Sequence, residues 1–148
     1  MGFAESVRTV LSKKYAIFSG RASRSEYWWF QLLYWALLAA YVPLLVTVSE
    51  ATDGPDGLSQ IAEVMMTILI LFLLATLSPQ TALHARRFQD CGISSSRYGT
   101  LVLLCAIPGL AILAGPAVIV ICLLPGTEGP NKYGPNSLIA EPRAEVFT

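Results

Sequence analysis

The chain has 148 residues, 54% of them hydrophobic and 14% charged, with ten Lys+Arg balanced by ten Asp+Glu. A soluble domain carries about a quarter charged residues, so this composition lacks the polar surface that a water-facing fold requires. Zero net charge also excludes a generally basic nucleic-acid binder, which needs an excess of Lys and Arg against phosphate. What remains is a small all-α integral membrane protein.

The N-terminus does not read as a signal peptide, because its apolar residues form no block. Phe3, Val7, Val10 and Leu11 recur at the spacing of one helical face, with Glu5, Thr9 and Ser12 opposite. This predicts a short amphipathic interfacial helix lying on the membrane surface; packing on the rest of the protein is the other reading. Gly20 is the expected helix stop before the chain reaches the membrane.

Three uncharged runs follow, at 27–49, 64–85 and 98–127. A hydrocarbon core about 30 Å thick needs roughly 20 helical residues. Backbone in lipid must bond to itself, so each run is expected to be a helix. The expected spans are 27–48, 63–85 and 100–124, in a single membrane domain over 1–136 with a short tail over 137–148. Between the first two spans, Gly54-Pro55-Asp56-Gly57 reads as a turn. The third run holds Pro108-Gly109 and Gly115-Pro116. One kinked helix from Leu101 to Leu124 is the simpler expectation; the rival is a re-entrant hairpin turning near Gly115.

Basic residues set orientation. Arg8, Lys13, Lys14, Arg21 and Arg24 precede the first span, and Arg86, Arg87 and Arg97 lie between the second and third. The loop from Glu50 to Glu63 has no Lys or Arg, and the tail has Lys132 and Arg143. Three spans with a cytoplasmic N-terminus would therefore place eight basic residues inside and two outside.

Tyr27, Trp28, Trp29 and Trp35 stand where the first span enters the bilayer, as an interfacial anchor or a contact for a partner helix. Ser78-Pro79-Gln80-Thr81 is expected to serve the carbonyl that Pro79 frees and to bond a neighbouring helix. His84 reads as an interfacial residue that bonds backbone, headgroup or water. Cys91, Cys105 and Cys122 read as unpaired packing residues. Neither a metal set nor a nucleophile–base pair can be named, so the expectation is no enzyme and no cofactor.

Several separated motifs resemble those of the DUF805 family of small bacterial inner-membrane proteins. Gly20-Arg21-Ala22-Ser23-Arg24-Ser25-Glu26-Tyr27-Trp28-Trp29 resembles its first motif, and Pro79 followed by Arg86-Arg87 the end of its second span. Pro125-Gly126-Thr127 with Gly129, then Asn131-Lys132-Tyr133-Gly134-Pro135, resembles its tail motif. The resemblance covers roughly residues 5 to 136. Gln89 stands where the family usually has His, so no role for that His carries over. The resemblance implies fold and inner-membrane location, and no reaction.

In the N-inside arrangement, Arg21, Arg24, Glu26, Arg86, Arg87 and Asp90 gather near the cytoplasmic headgroups. They form either an ion-pair latch between helix ends or a cradle for an anionic lipid headgroup. The expected role is an accessory or assembly subunit docking on a larger membrane complex; the alternative is binding or transport of an anionic lipid or small molecule. Expected partners are membrane lipids and other integral membrane subunits, not nucleic acid.

Overall fold

The computed structural model describes residues 2–52, 60–107 and 109–135. The expected Gly54–Gly57 turn and the 137–148 tail lie outside the described residues. Helix α1 (Phe3–Arg8) continues as a π-helical turn over Thr9–Lys13, and two long helices follow, α2 (Arg24–Thr52) and α3 (Gln60–Asp90). At ~1.5 Å per residue these are about 43 and 46 Å long, enough to cross hydrocarbon and headgroups. Both pass as membrane spans on length and hydropathy. Of their most apolar windows only 6% and 11% is buried, unlike the core helices of a soluble protein.

The third run does not form the expected kinked helix. It breaks into α4 (Ser95–Cys105) and α5 (Ala111–Leu123). At about 17 and 20 Å, neither reaches across 30 Å of hydrocarbon. Gln89 Nε2 donates to Ser95 Oγ at the start of α4, and Arg87 donates to the Cys122 and Leu124 carbonyls at the end of α5. Both outer ends therefore sit at the C-terminus of α3, and α4–α5 is a helical hairpin. The turn comes at Gly109, whose φ of +90° suits a residue without a Cβ, and not near Gly115. Pro116 is instead accommodated inside α5.

The N-terminal segment packs on protein. Val10 is fully buried in a cluster with Phe30 and Leu83, and Phe3 meets Trp29 edge-on. Tyr15 Oη donates to the Ala75 carbonyl, the acceptor that Pro79 strands by lacking an N–H four residues later. The buried face of this segment is Ser6, Thr9 and Val10, so Thr9 turns inward rather than to the expected polar side, while Phe3 and Leu11 stay 46% and 41% exposed. The Ser78–Thr81 hydroxyls do not serve that carbonyl; Thr81 Oγ1 bonds back to Leu77 and Ser78.

Candidate functional site

Arginines 86 and 87 are adjacent, so a helix aims them about 100° apart. Arg86 turns to α2. There Ser23 caps the helix, its Oγ accepting from the Glu26 N–H at 3.2 Å, the first half of a capping box. The Glu26 carboxylate then reaches across instead of back, accepting from Arg86 Nη1 at 2.6 Å. Its place in the first turn also sets it against the positive helix end. The Ala22 N–H donates to the Arg86 carbonyl at 3.3 Å, tying the approach to α2 to the same turn of α3.

Arg87 turns to the hairpin. Its guanidinium pairs with Asp90 and donates to the carbonyls of Ala22, Cys122 and Leu124. The last two are among the carbonyls a helix C-terminus leaves without partners, where a cation is favoured. Asp90 also accepts from Arg21 Nε at 2.7 Å. Arg21 spends its other two nitrogens on the Thr127 and Gly129 carbonyls at 2.6 and 2.7 Å. The cluster so joins the segment before α2, the end of α3 and the loop after α5.

Three arginines here face two carboxylates, and all five side chains are 3% exposed or less in these pairs or sit with partners that are. Buried charge is costly unless every group is bonded. Five backbone carbonyls serve Arg21 and Arg87, whereas Arg86 Nε and Nη2 are buried without a hydrogen-bond partner among the described residues. The Thr127 N–H and hydroxyl both donate to the Asp90 carbonyl, at 2.8 and 3.1 Å. Asn131 Nδ2 donates to the Gln89 carbonyl at 3.0 Å. Gly126 lies against the Asp90 carboxylate so closely that a Cβ would stand 2.7 Å from its Cγ. Only glycine fits that approach.

Above this clasp a polar seam joins the two long helices. His84 Nδ1 donates to the Gln80 carbonyl at 2.8 Å, so Nε2 is left to accept from the Tyr27 hydroxyl at 3.0 Å. Gln31 Nε2 donates to Gln80 Oε1 at 3.1 Å, and the His84 ring stacks on Tyr98 of α4. Further along, Tyr34 stacks on Phe72 and Tyr41 Oη donates to the Met65 carbonyl. These contacts hold α2 and α3 in one antiparallel register.

Of the residues named from sequence, the structure brings Arg21, Glu26, Arg86, Arg87 and Asp90 together. Arg24 is exposed and belongs to none of the three ion pairs. Arg86 and Arg87 are fully buried, which leaves no guanidinium face for a lipid headgroup. Among the aromatics, Trp29 and Trp35 face outward at 41% and 62% exposure. Trp28 is half-buried, and Tyr27, 4% exposed, is a core residue and not an anchor. The seam residues His84, Gln31 and Gln80 were not grouped from sequence. The three cysteines are free; beside the clasp, burial pushes the Cys91 thiol up, against a weaker opposing pull from Arg87.

No solved structure matches the chain. It is similar to the inner membrane protein YhaI of Escherichia coli K12, 34% identical over 122 residues, which cover 82% of this chain and 86% of that protein. The same protein of E. coli O157:H7 matches equally. The family model described as protein of unknown function (DUF805) matches residues 15–135, the stretch from the Tyr15 contact to the end of the tail motif. The chain is an integral membrane protein and belongs to the DUF805 family.

Proposed function

We propose that this chain is a non-catalytic subunit of the bacterial inner membrane that docks on a larger membrane complex through the outer faces of α2 and α3. The observation that carries this reading is how little those spans cover each other. Trp35, Leu32, Leu71, Leu74 and Leu77 are all more than half exposed. The charged chemistry of the clasp, meanwhile, is spent internally on holding the helix ends together. Such a division suits a rigid part presented to a neighbour.

The N-terminus lies in the cytoplasm in this reading, with α4–α5 a re-entrant hairpin. Lys132 then joins the other eight described basic residues on the cytoplasmic side, and the α2–α3 loop, without Lys or Arg, faces out. Gentle extraction from the native membrane followed by native sizing tests the docking. A particle well above the 16.0 kDa chain plus detergent is expected, with Trp35→Ala/Leu32→Ala shifting it down. A monodisperse particle near the chain's own mass would remove the proposal.

A further inference from the structure

Arg97 lies in the first turn of α4, exposed, and takes part in none of the ion pairs of the clasp. Beside it a groove of about 400 Å³ runs between α4 and the end of α5, lined by Phe88, Ile93, Arg97, Thr100, Leu101 and Ile121. That volume falls within the roughly 300–1,000 Å³ of small-ligand sites. We propose that this groove binds one anionic phospholipid, with Arg97 holding its phosphate and Ile93, Leu101 and Ile121 flanking an acyl chain.

The groove has a charged rim and an apolar wall. Its charged rim lies where α4 leaves the clasp, at the level where the chain's other arginines gather. From Arg97 the lining continues to Leu101, one turn further along α4 from the clasp, as a phospholipid continues from phosphate to chain. Guanidinium suits phosphate because two N–H groups can meet two oxygens. An apolar groove on a membrane protein does not stand open, since acyl chains are its solvent, and the free cation decides which lipid stays. Arg86 and Arg87 cannot play this part, being buried and paired. The proposal is independent of the docking role above, which rests on α2 and α3.

Native mass spectrometry of the full chain in detergent tests it, titrating phosphatidylglycerol against phosphatidylethanolamine of matched chains. One phosphatidylglycerol should be retained in preference. Arg97→Gln should lower that retention about fivefold and leave phosphatidylethanolamine unchanged, as expected for one basic side chain at an anionic surface. Arg97→Lys should keep most of the preference, and Leu101→Trp, which fills the groove, should lower both lipids. Glycerol phosphate, the headgroup without chains, should displace nothing. Equal retention of the two lipids by the parent chain, unchanged retention in Arg97→Gln, or displacement by glycerol phosphate would each overturn the proposal.

Discussion

Asp90→Asn removes the one carboxylate on which two buried guanidinium groups converge. The side chains of Asp90, Arg21 and Arg87 are 3%, 2% and 0% exposed in these pairs, so water does not screen the loss. Breaking a buried pair by removing one partner costs about 3–5 kcal/mol. The carbonyls that Arg21 and Arg87 also hold soften the penalty, so the lower end applies. A loss of about 3 kcal/mol is a factor of roughly 150 in the folding equilibrium. The amide also keeps only one acceptor oxygen and turns a donor toward the other arginine. Unfolding by dodecyl sulfate in mild detergent, followed by far-UV circular dichroism, reads this directly. Arg24→Gln is the matched control, an arginine of the same motif outside the ion pairs. Asp90→Asn should move the midpoint far below the parent, and Arg24→Gln should leave it in place. Equal midpoints for the two variants would refute the clasp.

Glu26→Arg and Arg86→Glu should each cost about 3 kcal/mol for the same reason, and the double variant should recover part of the sum; strictly additive losses would deny the pairing. Gly126→Ala should cost about 1–3 kcal/mol, because its Cβ drives the loop after α5 off the Asp90 carboxylate. A Gly126→Ala chain as stable as the parent would place that loop elsewhere. Tyr15→Phe should lose about 0.6–1 kcal/mol in the parent and nothing in a Pro79→Ala background, where the restored N–H takes the Ala75 carbonyl. The same loss in both backgrounds would separate Tyr15 from the proline break.

Much of this architecture was legible in the sequence. The two long spans were readable because uncharged length alone specifies a lipid-exposed helix. The Glu26–Arg86 partnership was readable because opposite charges stood at helix ends expected to share a leaflet. Its dryness was not: sequence placed the pair among wet headgroups, whereas both side chains are 3% exposed or less. The closing of the loop after α5 on Arg21 and Asp90 was equally hidden, because a contact such as Arg21 to Gly129 spans 108 residues and no local pattern encodes it. The hairpin was legible only as the rival to one kinked helix, with its turn near Gly115. Pro108-Gly109 and Gly115-Pro116 offered two break points, and local sequence does not rank them; the chain turns at Gly109 and brings the end of α5 to Arg87. Tyr27 sits in an aromatic run that reads as an interfacial belt, and only the facing His84 shows which ring turns inward.

The hairpin returns the chain to the clasp, and in the proposed topology both ends of the family match therefore lie on one side of the membrane. Single cysteines at Ser19, Ala51 and Lys132, all exposed positions, test it by labelling with a membrane-impermeant maleimide in inverted vesicles and in spheroplasts. Ser19→Cys and Lys132→Cys should label together in inverted vesicles, above the signal of the native cysteines, and Ala51→Cys in spheroplasts. Labelling of Lys132→Cys together with Ala51→Cys would mean a third crossing, and the account would be wrong.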